Sequence, residues 1–162
     1  MKKIGMRIVT IVSILVLSIS FNTNVMASSL KDSGKIVDGS RLLQEQTSTV
    51  TTDNLERGNI LNRGTASVGD NGNGTANVYG AVIGSVVCDK MILELTLQRY
   101  SNGTWVNVKS FSDTAYNTSL LTKSYNVKVT KGYYYRVKAA CIAQKNGVSE
   151  SRMPITDGVL VD

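Results

Sequence analysis

The feature that most constrains the fold of this chain is a predicted β-hairpin, Met91–Phe111. Its first half alternates apolar and polar residues, which is the pattern of a strand with one buried face. That buried face carries Leu93, Leu95 and Leu97. Asn102-Gly103 follows, and both residues tolerate the positive φ angles that a two-residue hairpin turn requires. Because one apolar face needs a second layer to cover it, the hairpin predicts a layered β-fold.

The two-residue turn also predicts the register of the hairpin. The predicted pairs are Ser101 with Thr104, Tyr100 with Trp105, Gln98 with Asn107 and Leu97 with Val108. In this register Val106 and Val108 join the leucine face, and the aromatic and amide residues occupy the opposite, outer face. A slip of one residue would mix the two faces, so the pattern itself selects the register.

Short alternating stretches and glycine-containing turns continue along the chain and predict the fold class. Two similar segments, Gly64–Val68 and Gly74–Val78, flank a turn-forming stretch, and Tyr133–Ala143 has the pattern of a long strand. Ser112–Ser119 has the composition of a loop. About seven strands and no helical period after the leader predict an all-β domain. The expected architecture is an antiparallel two-sheet β-sandwich of immunoglobulin or fibronectin type, and a small β-barrel is the alternative.

The first 27 residues have the layout of a bacterial secretory signal peptide. Lys2, Lys3 and Arg7 accompany the apolar run Ile8–Phe21, and Ala27 supplies the small residue after which cleavage is expected. The apolar run is shorter than the roughly 20 residues that a membrane span needs, and an uncleaved anchor helix is the alternative. We therefore expect a secreted, extracellular protein that loses its N-terminal signal helix and has no membrane span afterwards.

Residues 28–59 differ in character from the rest of the chain. They are rich in Ser, Thr, Asp and Gln, and their apolar residues are scattered. Such a composition predicts a flexible tether. The predicted organisation is therefore a signal peptide (1–27), a flexible polar tether (28–59) and a β-sandwich domain (60–162).

The chain has two cysteines, Cys88 and Cys141. In an exported protein an even pair favours a disulfide bond, because the extracellular environment is oxidising. The alternative is two separate buried thiols. Cys88 is out of phase with the leucines of the hairpin, so a bond would require a bulge, a bend or a loop position to turn its side chain inward.

Charge and composition narrow the classes of function. The chain contains no histidine, which removes the usual general base and the commonest metal ligand. We therefore predict no catalytic residue, no metal and no cofactor. Of 18 basic residues three lie in the leader, which leaves 15 against 12 acidic residues, a net charge of +3. This mild excess, without a basic cluster, predicts no nucleic-acid partner.

The outer face of the hairpin is the candidate binding surface. It carries Trp105, Tyr100, Gln98 and Asn107, and Tyr134 and Arg136 would join it if their strand lies beside the hairpin. Aromatic rings flanked by amides suit a sugar ring or a protein partner. The alternative is a cross-strand aromatic pair that only stabilises the hairpin.

A set of short motifs resembles a family of small exported proteins of Gram-positive bacteria, mostly clostridia, classed as a domain of unknown function. The motifs are Arg63–Ala66, Cys88–Lys90, Leu97–Arg99, Trp105-Val106, Lys131–Val137 and Glu150-Ser151. The resemblance implies export and a β-rich fold, and it supplies no activity or ligand. The sequence thus predicts a secreted, non-enzymatic binding or surface-interaction module for an unknown extracellular protein or glycan. The alternative is a carbohydrate-binding module that uses the exposed aromatic face.

Overall fold

The computed structural model describes residues 32–53 and 60–162, and these residues form nine strands. The strands are β1 Ile36–Val37, β2 Ser40–Leu43, β3 Thr47–Asp53, β4 Leu61–Asp70, β5 Thr75–Ser101, β6 Thr104–Lys128, β7 Tyr133–Lys145, β8 Val148–Arg152 and β9 Gly158–Val161. The all-β prediction is confirmed. The predicted signal peptide and its cleavage at Ala27 lie outside the described residues. Within the described ranges, no helix is long and apolar enough to cross a membrane.

All nine strands belong to one sheet, with the order β1-β2-β9-β7-β5-β4-β3. β6 also pairs with β5, and β8 pairs with β7. Neighbouring strands are antiparallel except β2 and β9, which are parallel. The long strand β5 pairs with β4 through residues 76–84 and with β7 through residues 90–99. A break in the register between Ile83 and Cys88 separates these two halves.

The sheet curls at this break, so that core side chains of its two halves meet: Gly80 lies against Leu93 and Leu95. We call these two halves of the curled sheet the first and the second layer. The first layer contains β3, β4 and the start of β5, and the second contains the rest of β5 with β7, β9 and β2. The prediction of two separate sheets is not shown, because β5 and β6 run through both layers. Among the described strands, β1 and β3 each have one neighbour, so this curled sheet is open.

The core lies between the two layers and contains the leucine face of the hairpin. Leu93, Leu95 and Leu97 are fully buried, as predicted. Burial of such a side chain contributes about 1.5–3 kcal/mol to folding. Other fully buried core residues are Leu61, Val68, Val78, Val82, Met91 and Val137.

The hairpin turn and most of its register are confirmed. Asn102 and Gly103 have φ angles of 51° and 85°. Tyr100 pairs with Trp105 and Gln98 with Asn107, as predicted, but Leu97 pairs with Lys109. The extra residue is Val108, which forms a β-bulge. The predicted place of Val106 and Val108 in the core is wrong, because they are 47% and 43% exposed. The bulge displaces Val108, whereas Val106 keeps its predicted register opposite Arg99.

Residues 112–119, predicted to be a loop, lie within β6 and pair with β5. β6 follows the curl of the sheet, so side chains from its two halves meet. The rings of Phe111 and Tyr125 stack with centroids 3.9 Å apart. Tyr125 also donates a hydrogen bond to Asp113, and Lys123 lies 3.2 Å from the same carboxylate. The hydrogen bond to Asp113 and burial raise the pKa of Tyr125 to about 12. These contacts between side chains of β6 connect the two layers.

The predicted tether is wrong for residues 36–53, which contain three strands of the sheet. Its polar composition is explained by β3, which is an edge strand with one face in solvent. Thr49 pairs through its hydroxyl with Ser67 at 2.7 Å, and Thr51 with Thr65 at 3.3 Å. In β2, by contrast, Leu42 is fully buried. Polar cross-strand pairs therefore stabilise a segment that composition alone describes as disordered.

The predicted disulfide is not present, because Cys88 and Cys141 are free and buried. The partner of Cys141 on β5 is Leu93, five residues from Cys88. Five residues of strand span about 16 Å, whereas bonded cysteines have Cα atoms about 4.4–6.8 Å apart. The alternative of two separate buried thiols is the correct one.

Replacement of Gly80 by Ala tests the close approach of the two layers. A Cβ at Gly80 would lie 2.6 Å from Leu95 Cδ2 and 3.1 Å from Leu93 Cδ1. We expect Gly80→Ala to lower the free energy of unfolding by about 1–3 kcal/mol, because the core side chains must shift. Gly69→Ala is the matched control, since its nearest contact would be an ordinary 3.4 Å. Equal urea denaturation midpoints for the two variants would contradict this account.

Candidate functional site

The six predicted site residues lie together on the outer face of the second layer. β5 contributes Gln98 and Tyr100, β6 contributes Trp105 and Asn107, and β7 contributes Tyr134 and Arg136. Tyr134 and Arg136 were expected to join this face if their strand lay beside the hairpin. It does, because Gln98 of β5 pairs with Arg136 of β7. The rings of Tyr100 and Trp105 are 5.6 Å apart with an interplanar angle of 52°.

This aromatic face is covered by residues 35–44, which contain β1 and β2 and which we call the N-terminal clasp. Trp105 Nε1 donates a hydrogen bond of 3.0 Å to the carbonyl of Val37. Lys35 Nζ donates to the hydroxyl of Tyr100 at 3.2 Å. Tyr100 is 7% exposed and Tyr134 is 2% exposed. The expectation of an exposed aromatic pair is therefore wrong for Tyr100, because part of the segment predicted as a tether packs on it, whereas Trp105 is half-buried.

Arg136 holds the clasp in place from the centre of the second layer. It is 2% exposed, and its guanidinium lies 4.4 Å from the Trp105 ring. Nη1 donates to the carbonyl of Asp38 at 3.0 Å and to Ser40 Oγ at 2.8 Å, and Nη2 donates to Asp38 Oδ2 at 2.9 Å. Nε donates to Gln98 Oε1 at 2.8 Å. These bonds satisfy a buried cation that would otherwise destabilise the fold.

Beside the clasp, a groove of about 280 Å³ remains open on the outer face of the second layer. We call it the outer groove. Its polar lining residues are Glu94, Thr96, Gln98, Asn107 and Lys138, and Ala139, Ala140 and Met153 complete it. The lining thus combines one carboxylate, one ammonium group, a hydroxyl group and two amides with apolar surface.

A second cleft of about 400 Å³ lies between the clasp and the hairpin turn. Val37 and Asp38 line it from the clasp, and Trp105 and Arg136 line it from the sheet. Gln98 lines both this cleft and the outer groove, so the two depressions adjoin. The accessible surface is therefore a polar groove with an indole at one end.

The sequence could have identified part of the outer groove. Glu94 and Thr96 alternate with the buried leucines, so period two places them on the same face as Gln98. Lys138 shares a face with Arg136 for the same reason. Met153 has no such signal, because it reaches the groove through the segment that follows β8. A β-bridge between Lys138 and Ile155 joins that segment to β7.

The two cysteines do not have the properties of nucleophiles. Burial raises the pKa of Cys141 to about 11, and burial also raises the pKa of Cys88. A reactive cysteine needs a lowered pKa and an accessible sulfur. In residues 32–53 and 60–162, no group of three or more His, Cys, Asp or Glu side chains could hold a metal ion.

Replacement of Arg136 by Met tests whether this cation holds the clasp. We expect Arg136→Met to lower stability by about 2–4 kcal/mol and to accelerate amide exchange in residues 35–44, because the clasp loses its charge-assisted hydrogen bonds. Asp38→Asn is the control: the Asp38 side chain is 77% exposed, so we expect a loss of at most about 1 kcal/mol. Unchanged exchange protection of the clasp in Arg136→Met would refute this role.

Comparisons with known proteins place the chain in a family. A search of curated proteins found no match. Among solved structures the chain is similar to the crystal structure of Spo0M, the sporulation control protein from Bacillus subtilis, with 12% sequence identity and a TM-score of 0.35. That alignment covers 73% of this chain and 51% of the Spo0M chain, about half its length. A family model, DUF6147, matches residues 33–158, which include the clasp. The chain therefore belongs to DUF6147, a family of unknown function.

Proposed function

We propose that this protein is a secreted, non-enzymatic binding module that contacts an extracellular protein or glycan through the outer groove. The observation that carries the proposal is the groove itself, whose carboxylate, ammonium, hydroxyl and amide groups surround apolar surface. Binding sites combine a few oriented polar groups with apolar walls in this way. The signal-peptide layout of residues 1–27 supports export. We also propose that the curled sheet corresponds to the predicted immunoglobulin-type sandwich, since its two layers enclose one core.

The amides of the outer groove are oriented before any ligand arrives. Arg136 only donates hydrogen bonds, so the Gln98 amide must turn its oxygen toward the guanidinium. Gln98 Nε2 then donates to Asn107 Oδ1 at 2.8 Å. Asn107 Nδ2 is left as a donor, because no hydrogen bond joins it to any described residue. A ligand with an acceptor oxygen would meet a donor whose direction is already set, which lowers the entropy cost of binding.

The lining of the groove favours binding over catalysis. Glu94 is its only carboxylate. Hydrolysis of a glycosidic bond normally uses two carboxylates on opposite sides of the bond. The chain also contains no histidine that could act as general base.

A carbohydrate-binding module is the second candidate, favoured by the position of Trp105. Its indole lines the open cleft that adjoins the outer groove at Gln98. A sugar ring could contact the accessible part of the indole while its hydroxyl groups bond to the neighbouring amides. Tyr100 is too buried to contribute to such a site.

Export is tested by the mass of the protein recovered from culture medium. We expect a chain that begins at Ser28, because cleavage should follow Ala27. Alkylation of the denatured protein without reductant should modify both Cys88 and Cys141, since the structure shows them free. A full-length chain retained in the membrane fraction would contradict the export proposal.

Binding is tested with a glycan array and with capture of partners from culture medium. We expect Asn107→Ala to weaken binding about threefold to tenfold, because one hydrogen bond is lost. Asn126→Ala on the same strand is the control, since Asn126 lies in the first layer, outside the groove. Equal affinities for the two variants would reject the outer groove as the contact surface. Glycan binding that survives Trp105→Ala would reject the carbohydrate-binding module.

A further inference from the structure

We propose that the protein has a second binding site, for an oxyanion, in a groove at one open end of the curled sheet. This mouth groove has a volume of about 310 Å³. It is lined by Arg99, Val108, Lys128, Val129, Thr130 and Tyr135. None of these residues lines the outer groove, so the inference is independent of the proposed function.

The groove is built where three parts of the chain meet between the layers. Arg99 lies at the end of the leucine face of β5 and pairs with Tyr135 on β7. The bulge at Val108 forms the side toward the hairpin. Lys128 is the last residue of β6, and the connection to β7 supplies Val129 and Thr130. The lining residues are therefore held by strands and by one short connection.

The Arg99 side chain contacts an aromatic ring, but it forms no ion pair with a carboxylate of the described residues. Its guanidinium lies 4.7 Å from the centroid of the Tyr133 ring, a distance typical of a cation–π contact. Its Nε atom is buried and has no hydrogen-bond partner among the described residues. An unsatisfied buried donor destabilises the folded state, and more so when it is charged. An anion beside the guanidinium would stabilise this charge, which has no carboxylate partner among the described residues.

The lining of the mouth groove carries two cations and no carboxylate. Arg63 and Arg136 each form an ion pair with an aspartate. Within the described part of the chain, no carboxylate lies within 4.0 Å of Arg99 or Lys128 in an ion pair. Lys128 Nζ donates one hydrogen bond to the carbonyl of Asn73 at 3.2 Å, which leaves further N–H donors on its ammonium group.

Tyr135 and two valines also line the mouth groove. The Tyr135 hydroxyl donates to the carbonyl of Thr130 at 2.8 Å, so its position is set. Burial raises the pKa of Tyr135, and the charge of the neighbouring Arg99 opposes part of that rise. Val108 and Val129 add apolar surface next to the cations. A small organic anion would therefore find both charge and apolar contact.

The ligand class follows from these groups. An arginine presents planar N–H donors that match a carboxylate, sulfate or phosphate group, and a lysine adds a second positive charge. The oxyanion can belong to a free inorganic ion or to an acidic sugar, and the experiment separates these sources.

The test is an NMR titration of the isotope-labelled protein with inorganic phosphate, inorganic sulfate and glucuronate in turn. We expect saturable shifts of the Arg99 Nε–H signal and of the Tyr135 amide with at least one of the three anions. A response to glucuronate alone would assign the site to acidic sugars. Thermal shift is unsuitable here, because sulfate and phosphate stabilise folded proteins without binding to a site.

Two variants and one control make the test specific. We expect Arg99→Gln and Lys128→Gln each to weaken binding about tenfold or more. Lys128 is exposed, so its replacement should leave the fold intact even if Arg99→Gln does not fold. Lys90→Gln removes the same charge from β5 outside the mouth groove and should bind normally. No saturable shift with any of the three anions, or equal weakening by Lys90→Gln and Lys128→Gln, would overturn the proposal.

Discussion

The structure depends on the burial of one leucine face against the layer that faces it. Leu93, Leu95 and Leu97 are fully buried because the sheet folds back and places the start of β5 over them. The layers approach so closely at Gly80 that an added Cβ would lie 2.6 Å from a leucine methyl carbon. The break in register between Ile83 and Cys88 permits this fold, since a continuous ladder could not turn so sharply.

The same fold explains why the aromatic face of the hairpin is not a free binding surface. Arg136 is buried in the second layer and needs acceptors, and the N-terminal clasp supplies three of its hydrogen bonds. The clasp covers the ring of Tyr100 and part of the Trp105 indole, and it leaves the outer groove beside them open. The mouth groove at the end of the sheet contains Arg99, whose buried Nε atom has no hydrogen-bond partner in the described chain.

Local patterns predicted well those features that depend on neighbouring residues. The turn at Asn102-Gly103, the pairing of Tyr100 with Trp105 and the burial of the leucines follow from φ preferences and period two. The grouping of Arg136 with the hairpin amides also followed once β7 lay beside β5. The continuation of β6 through residues 112–119 was missed because the Ser, Asp and Asn residues there give the segment the composition of a loop. The bulge at Val108 was missed because no residue there marks it.

The sequence by itself determined an all-β chain, the central hairpin and the residues that share its two faces, because these depend on alternation and turn chemistry. Only the tertiary structure decided that one sheet forms both layers, that the cysteines stay apart and that residues 35–44 cover the aromatic face. Each of these depends on contacts between residues distant in sequence, such as Arg136 with Asp38. Composition carries no signal for such contacts, since the polar groups of the clasp find their partners only after the sheet has folded.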